Sequence, residues 1–485
     1  MVLVAMLVAS AAPAGAAGRW TRVACSLPNA WLRRIDAGYR ADRSGEIMIV
    51  PVQGNYFDNH SHAGPWPYLQ EIPMFLYGPG HVPPAGRLLR RVQMADLAPT
   101  LADHMGFAFP APHGTSMGAV KAGAPAPRVI VVMVWDGGGR NVLAKYPKAW
   151  PNVKRLIPKG AWFERATVGS SPSTTPAVHS TLGTGAFPSA HGIVDLSFRM
   201  GNRLRSIRNS VTYLDRDSLA DTYGAANSNG PVAAFVGNGL AVGMIGHGSA
   251  FPGGDQDPML LHDSRGDWRI SDSLRPYFRF PSWVDEVPGP EPYPGLEDTP
   301  RFARYETRIV SQLLRREGFG EDELTDLLFV NYKQIDKVGH HYSMNSSRMR
   351  DVVRSSDGAF GRLVEVLDTV IGPGEWVMAL TADHGSTPTA RVSGGFSISR
   401  GALVGDLIRR FDRDRDGRSI IDLMATTEIF IDVAELKSNG FGLPAVARFL
   451  MAYRRGDNRP GAGRARVFRA AFPDSVLRRN PPCLS

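Results

Sequence analysis

The sequence predicts an α/β fold in which a mostly parallel central sheet is flanked by helices. Three apolar runs have the composition of buried strands: Val129–Trp135, residues 327–330 and residues 376–380. Each run is followed closely by an aspartate. Residues 302–318 and 349–370 repeat apolar side chains at intervals of three and four, which is typical of amphipathic helices.

Carboxylates and imidazoles follow the three predicted strands. Asp136 comes directly after the first run, Asp336 and His340 follow the second, and Asp383 and His384 follow the third. Open α/β sheets place their ligand sites at the carboxyl ends of the strands, so these side chains are expected at one edge of the sheet. Carboxylate oxygens and imidazole nitrogens suit zinc. The pattern therefore predicts a metal site.

A hydroxyl-rich segment, residues 170–185, lies between the first two of these strands and begins a predicted helix. A hydroxyl at the start of a helix lies among backbone N–H groups that have no partner within the helix, a setting that favours an anion. Thr174 and Thr175 are both candidates for a catalytic hydroxyl on this ground.

Several motifs occur together in a fixed order along the chain. They are Trp135-Asp136-Gly137, Thr175 nine residues before Thr184-Gly185, Phe187-Pro188 with His191-Gly192-Ile193, Asp336 with His340, and Asp383-His384-Gly385. The combination resembles the alkaline phosphatase superfamily, most closely its nucleotide pyrophosphatase/phosphodiesterase-like branch. The resemblance implies a doubly wound sandwich with a mostly parallel central sheet, flanking helices and a small inserted cap at about residues 200–300.

The family also needs a histidine downstream of its Asp-His-Gly motif, and no histidine follows His384 in this chain. The segment that begins Ser61-His62, residues 61–78, looks like the missing one, and residues 95–101 look like the helix that follows it. The resemblance therefore implies a circular permutation. Residues 18–110 would be the closing segment of the catalytic domain, 111–128 a linker rich in Pro, Ala and Gly, and 129–485 the remainder.

The resemblance implies two divalent metal ions, with zinc as the expected ion. The first would be held by Asp336, His340 and His62, and the second by Asp136, Asp383, His384 and the Thr175 oxygen. Spacing to Thr184-Gly185 selects Thr175 over Thr174 as the catalytic nucleophile, which would form a phospho-threonyl intermediate. His179 and His191 are interpreted as supporting residues. His247 is a candidate for a supporting or substrate contact, and the alternative is an ordinary loop histidine.

The implied function is hydrolysis of phosphate esters, as a phosphodiesterase or a phosphomonoesterase. The chain departs from the family pattern at one position that bears on the diesterase assignment. Leu196 stands where diesterases of this branch carry an asparagine. Residues 171–176 lack the arginine that the sulfatase motif requires, which disfavours a sulfatase. Phosphonate hydrolase and phospho-group transferase use the same core and remain open. A non-catalytic binding module is the alternative of another class. The metal content of the purified protein would distinguish it from a metal-dependent enzyme.

Composition and charge narrow the range of possible binding partners. The 485 residues are 43% hydrophobic and 21% charged, with a net charge of +9 carried by scattered arginines. This scatter predicts no nucleic acid as a specific partner and fits attraction of a small phosphorylated substrate. Beyond the first residues no apolar run is long enough to span a bilayer, so no stable membrane insertion is expected. The sequence carries no signal for an oligomeric state.

The two ends of the chain point to export. Residues 1–17 have a short apolar core followed by small residues, as in a signal peptide, which predicts a secreted or cell-envelope protein. The only cysteines are Cys25 and Cys483. If the fold is permuted, its new ends must lie close together, so a disulfide between these two residues is our hypothesis.

Overall fold

A computed structural model describes residues 14–58, 60–207, 212–227, 233–248, 255–414 and 416–484. The predicted export signal lies almost entirely outside these ranges. The chain divides into two compact units. The smaller unit contains the described parts of Met1–Arg33, Gly45–Gln53 and Ile398–Ser485, and the larger unit contains those of Arg34–Ser44 and Gly54–Ser397.

The strands are listed here in chain order. They are β1 (Ile47–Pro51), β2 (Asn55–Phe57), β3 (Met74–Tyr77), β4 (Gly86–Gln93), β5 (Val129–Trp135), β6 (Ala161–Thr167), β7 (Ser197–Met200), β8 (Arg203–Ser206), β9 (Ala233–Asn238), β10 (Asp257–His262), β11 (Trp268–Arg269), β12 (Phe278–Arg279), β13 (Asp326–Tyr332), β14 (Trp376–Thr381), β15 (Phe396–Ile398), β16 (Ile421–Met424), β17 (Glu428–Ile431) and β18 (Phe468–Pro473).

The helices complete the secondary structure. They are α1 (Ala14–Cys25), α2 (Asn29–Gly38), α3 (Pro67–Gln70), α4 (Leu97–His104), α5 (Arg140–Lys145), α6 (Pro151–Leu156), α7 (Thr175–Thr184), α8 (Pro188–His191), α9 (Leu219–Ala226), α10 (Pro300–Arg316), α11 (Gln334–Tyr342), α12 (Ser347–Val370), α13 (Ala390–Ser393), α14 (Arg400–Phe411), α15 (Val433–Ser438), α16 (Leu443–Ala452) and α17 (Arg455–Asn458). Among the described residues, no helix is long and apolar enough to cross a membrane.

The larger unit is built on one sheet with the strand order β11-β10-β9-β13-β5-β14-β3-β6-β4, and β12 pairs with β10. Strands β10, β9, β13, β5 and β14 run parallel to one another. Strand β3 is antiparallel to both of its neighbours, β14 and β6. The prediction of an α/β fold with a large, mostly parallel sheet is confirmed.

Both faces of this sheet are covered, which explains why its central strands are continuous apolar runs. Alternate residues of β5 contribute to two different cores. Val131 and Met133 pack with helices α10 and α12 on one face, whereas Ile130 and Val132 pack with helices α4 and α7 on the other. The sheet is therefore held rigidly in the middle of the larger unit, and its strand ends can fix side chains precisely in space.

The smaller unit combines both ends of the chain. Its sheet has the order β16-β17-β1-β18, and β1 pairs antiparallel with both β17 and β18. A disulfide joins Cys25 to Cys483, with 5.8 Å between their Cα atoms, so the hypothesis of this bond is confirmed.

The structure differs from expectation between residues 200 and 300, where we expected a cap. Strands β9 and β10 fall in this range and belong to the central sheet. The flanking Gly, Asn, Asp and Pro residues suggested loops, but the buried residues of both strands continue the sheet beyond β13. Whether the rest of this range is a cap, and the division into residues 18–110, 111–128 and 129–485, stay predictions.

Candidate active site

The carboxyl ends of three adjacent strands create the site. Strand β5 is paired in register with β13 up to Trp135 and Tyr332, and with β14 up to Val134 and Thr381. The chain segments that leave these strands therefore start at the same edge of the sheet. They bring Asp136, Asp336 and Asp383 together, all of them nearly fully buried.

A first cluster contains His62, Asp336 and His340, whose potential ligand atoms all lie within 4.8 Å of one another. His62 Nε2 is 3.6 Å from Asp336 Oδ1, and His340 Nε2 is 3.3 Å from the same oxygen. Asp336 and His340 share helix α11 at a spacing of four, which places both on one face of the helix. His62 reaches them from a distant part of the sequence.

A second cluster contains Asp136, Asp383 and His384 and meets the same distance limit of 4.8 Å. His384 Nε2 lies 3.3 Å from Asp383 Oδ2 and 3.8 Å from Asp136 Oδ1. The two clusters are neighbours, because the rings of His62 and His384 stack with 3.6 Å between their centroids. All six of these predicted ligand residues are therefore brought to one place.

The donor atoms in these clusters fit a metal ion. His384 Nδ1 donates to the Gly385 carbonyl at 2.9 Å, and His62 Nδ1 donates to the Ser173 carbonyl at 3.2 Å, which leaves the lone pair of each Nε2 facing a cluster. His384 Nε2 and Asp383 Oδ2 are buried, and neither has a hydrogen-bond partner among the described residues. Buried polar atoms are rarely left unsatisfied, and a bound cation would satisfy both.

Thr175 is the first residue of α7, and its side chain is buried at the same edge. Its neighbour Thr174 is the N-cap residue of the helix but makes no side-chain capping hydrogen bond. Thr175 Oγ1 accepts a hydrogen bond of 2.9 Å from Lys333 Nζ. Thr175 therefore lies beside the charged groups of the second cluster, where a nucleophilic hydroxyl could be ionised.

Lys333 is the main residue of the site that the sequence did not single out. Its Nζ also donates to Asp136 Oδ1 at 2.7 Å and lies 3.0 Å from Asp336 Oδ2. Burial alone would lower the pKa of Lys333, but the carboxylates of Asp136, Asp336 and Asp383 raise it above the usual lysine value. The ammonium thus contacts the proposed nucleophile and both clusters.

A second missed residue is Asn331, the penultimate residue of β13. Its amide nitrogen donates to Asp136 Oδ2 at 2.9 Å and lies 3.0 Å from His179 Nε2. His179 Nδ1 in turn donates to the Thr175 carbonyl at 2.8 Å. This chain links the first turn of α7 to Asp136, which agrees with the interpretation of His179 as a supporting residue. Asn331 lies at the end of β13 and Lys333 directly after it, but nothing in the sequence reveals that the two side chains are buried.

The pKa values of two carboxyl groups of the site are shifted in opposite directions. Burial, and next the charge of Asp136, raises the pKa of Asp383 to about 8. Burial acts in the same direction on Asp336, but Lys333 and His340 outweigh it and hold the pKa of that carboxyl well below its usual range. Burial also lowers the pKa of His62 and of His384, which keeps both imidazoles neutral and able to act as ligands.

A cavity of about 730 Å³ opens onto the clusters. Its walls include Thr175, Lys333, His340 and Leu196. Leu196 is 45% exposed, so an apolar side chain stands in the wall at the position where the diesterases carry an asparagine. The cavity is large enough for a small molecule.

His191 and His247 lie outside the two clusters. His191 accepts a hydrogen bond from the Ile193 N–H at Nδ1 and contacts Thr181 Oγ1 at 3.1 Å, which fixes the turn after α7. His247 lies against Asp217 and Asp221, at 3.3 and 3.5 Å, and is not among the residues that line the cavity.

Comparison with known proteins gives a consistent family. The sequence profile described as type I phosphodiesterase / nucleotide pyrophosphatase matches residues 130–427. Alkaline phosphatase PhoV of Synechococcus elongatus is 22% identical over 332 residues, which are 54% of this chain and 59% of PhoV. Alkaline phosphatase PafA of Elizabethkingia meningoseptica is 21% identical over 421 residues, which are 69% of this chain and 74% of PafA. The chain thus spans less than two thirds of the length of PhoV.

A solved structure supports the fold. The crystal structure of wild-type alkaline phosphatase PafA superposes with a TM-score of 0.54 at 18% identity, covering 68% of this chain and 76% of PafA. The profile match includes Asp136, Thr175, Asp336 and Asp383, whereas His62 lies outside it. Since this match covers more than half of the sequence, the chain belongs to the type I phosphodiesterase / nucleotide pyrophosphatase family of the alkaline phosphatase superfamily.

Proposed function

We propose that this protein hydrolyses small phosphate esters, with Thr175 as the nucleophile and two divalent ions, expected to be zinc, at the two clusters. The observation that carries the proposal is the position of Thr175 Oγ1. Lys333 Nζ contacts this oxygen and also the carboxylates of Asp136 and Asp336, so Thr175 lies beside a residue of each cluster. The family assignment adds the reaction class, because the family is described by hydrolysis of phosphodiesters and nucleotide pyrophosphates.

The chemistry follows from the donor set. When bound, the ions would supply positive charge that ionises a hydroxyl and neutralises a leaving oxygen. Thr175 Oγ1 attacks phosphorus as the bond to the leaving alcohol breaks, and water then hydrolyses the phospho-threonine. Helix α7 orients Thr175, since the carbonyl of that residue is held by His179, itself in contact with Asn331.

The preference between monoesters and diesters depends on the wall of the cavity. Leu196 cannot donate a hydrogen bond to a phosphoryl oxygen, which separates this chain from the diesterase pattern. PhoV and PafA are both named alkaline phosphatases. We therefore favour phosphomonoesters as substrates, with phosphodiesters as the second candidate because the family profile is that of a phosphodiesterase.

We further propose that the catalytic domain is circularly permuted and acts outside the cytoplasm. Strand β3, which lies in the proposed closing segment 18–110, inserts between β14 and β6 of the central sheet. His62 comes from the same segment and lies beside Asp336. Disulfides persist in oxidising compartments, so the Cys25–Cys483 bond supports export, as does the apolar segment at residues 1–17.

The test is hydrolysis of p-nitrophenyl phosphate and of bis-p-nitrophenyl phosphate by the purified protein with added zinc. We expect Thr175→Ala and His62→Ala to lower kcat by at least about 100-fold. Thr174→Ala is the matched control, since this neighbouring hydroxyl lines the same cavity, and it should keep activity within about tenfold.

The outcomes separate the candidates. Faster turnover of the monoester supports a phosphomonoesterase, and faster turnover of the diester a phosphodiesterase. Wild-type rates no higher than those of Thr175→Ala on both esters would contradict the proposal. Phosphonates and phosphoryl acceptors would then be the next substrates to assay, and a chain that also purifies without metal would be assigned a binding role.

A further inference from the structure

The ammonium of Lys333 lies where cation ligands converge. Lys333 follows β13 directly, and its side chain is only 4% exposed. Its Nζ lies 2.7 Å from Asp136 Oδ1, 2.9 Å from Thr175 Oγ1 and 3.0 Å from Asp336 Oδ2. Lysine is not a zinc ligand in the usual sets of Cys, His, Asp and Glu. Its role toward the clusters therefore has to come from its charge.

The contacts of Lys333 are not shared equally between the clusters. In the first cluster, His62 and His340 face Asp336 Oδ1, whereas Lys333 contacts the other oxygen, Oδ2. An ion at Asp336 Oδ1 and the ammonium at Oδ2 can be bound together, because one carboxylate can hold two cations on its two oxygens.

The second cluster is different. Its proposed ligands include Asp136 Oδ1 and Thr175 Oγ1, and Lys333 Nζ contacts both atoms. The other oxygen of Asp136, Oδ2, faces Asn331 and accepts a hydrogen bond from it at 2.9 Å. A zinc ion needs its oxygen ligands at about 2.0–2.2 Å, so it would compete with the ammonium for the same two atoms.

We propose that Lys333 acts as a built-in cation of the second cluster, so that the protein binds one divalent ion tightly at the first cluster and a second ion only by displacing Lys333. This inference rests on the proposed metal site and adds an order and an unequal affinity to its loading. A second ion would need the same two oxygens as the ammonium, so these two cations exclude each other. An ion at the first cluster has its own oxygen, Asp336 Oδ1, and leaves Oδ2 to the ammonium.

The test is a titration of the metal-free protein with Zn²⁺, followed by calorimetry and by metal analysis after gel filtration. For the wild type we expect one tight ion per chain and a second that binds at least about tenfold more weakly. Lys333→Met removes the charge but keeps a long side chain. It should raise the affinity for the second ion at least about tenfold, while the affinity for the first ion changes little.

Three further variants make the result specific. Lys333→Arg keeps the positive charge and should retain a weak second site. Lys337→Met removes a nearby lysine in α11, which pairs with Glu297 at 2.8 Å and contacts neither cluster, so the wild-type pattern should persist. His340→Ala should abolish the tight event and His384→Ala the weak one, which assigns each ion to its cluster.

The failures are distinguishable. Two ions of equal affinity in the wild type, or an unchanged second ion in Lys333→Met, would overturn the role of Lys333 and leave the proposed hydrolase in place. Loss of the tight ion in Lys333→Met, with an unchanged circular dichroism spectrum, would also overturn it. If neither the wild type nor Lys333→Met binds zinc, the proposed metal site itself is wrong.

Discussion

Glu306 shows how a single buried residue can make stability depend on pH. It lies in α10, is fully buried, and accepts a hydrogen bond from Gln334 Nε2 at 2.7 Å. Its other oxygen has no hydrogen-bond partner among the described residues, and His262 Nε2 is 3.9 Å from it. Burial, only partly opposed by His262, raises the pKa of Glu306 from 4.5 to about 7. The folded protein therefore retains this proton at a pH where the unfolded chain has lost it.

The sign of the effect follows from linkage. Because the folded pKa exceeds the unfolded pKa, the stability that the proton contributes is fully present below about pH 4.5 and is lost as the pH rises through about 7. We expect the wild type to lose roughly 3 kcal/mol of unfolding free energy in this window relative to Glu306→Gln, which has no such proton. Urea unfolding at a series of pH values measures the difference.

Glu365→Gln is the control for this prediction. The same substitution is made there on an exposed position of α12, and it should leave the pH dependence as in the wild type. Parallel stability curves for the wild type and Glu306→Gln between pH 4.5 and pH 7 would show that Glu306 is not protonated in the folded state.

At the scale of elements, the sequence predicted the strands that carry the site because each is buried on both faces. Strands β5, β13 and β14 read as continuous apolar runs, and their residues are almost entirely buried. Strands β9 and β10 are buried almost as fully, but loop-forming residues flank their short apolar runs, and that local pattern predicts a cap. Long-range pairing, which the local pattern does not contain, decides their place in the sheet.

The site was predictable to the extent that residue type reveals chemistry. Asp and His at strand ends are ligand types, so Asp136, Asp336 and Asp383 stood out in the sequence. Lys333 and Asn331 did not, because a lysine or asparagine at or just after the end of a strand is usually solvated. Their importance comes from burial and from contacts to Asp136, which only the assembled sheet edge creates.

The turn after β5 offers a test of how closely its backbone approaches the backbone at Asp336. Gly137 has φ +72° and donates its N–H to Asp383 Oδ1 at 2.9 Å. A Cβ atom on Gly137 would lie 2.9 Å from the Cα of Asp336, so the neighbouring backbone would have to move. Gly123 has the same φ of +72°, but a Cβ atom there would meet nothing within 4 Å. The two glycines thus separate backbone strain from steric overlap.

We expect Gly123→Ala to lower the unfolding free energy by about 1 kcal/mol, which is the cost of the left-handed conformation alone. Gly137→Ala should cost roughly 1–3 kcal/mol more, because it adds the overlap with Asp336. It should also weaken zinc binding at the first cluster, whereas Gly123→Ala should not. Thermal unfolding and zinc titration check both effects, and equal losses in the two variants would mean that the backbone at Asp336 adjusts without cost.

At the scale of the whole molecule, the ends of the chain meet in the smaller unit. Strand β1, from the N-terminal part of the chain, lies between β17 and β18, from the C-terminal part. Cys25 and Cys483 are bonded although 458 residues separate them in sequence. A permuted domain requires its new ends to be close, and this arrangement meets that requirement. The pairing could be hypothesised from sequence because only two cysteines are present.

The disulfide should contribute substantially to the stability of the smaller unit. In the chain-entropy model, a crosslink that closes so long a loop restricts the unfolded chain strongly, and removing a native disulfide typically costs roughly 2–5 kcal/mol. We therefore expect Cys25→Ser, and the double variant with Cys483→Ser, to unfold at lower temperature than the oxidised wild type. Hydrogen exchange should accelerate in β1 and β18 while β5 and β13 keep their protection.

The wild type in reducing buffer should behave like the double variant. If wild type and double variant melt together under oxidising conditions, and exchange in β1 and β18 is unchanged, the bond does not stabilise this unit.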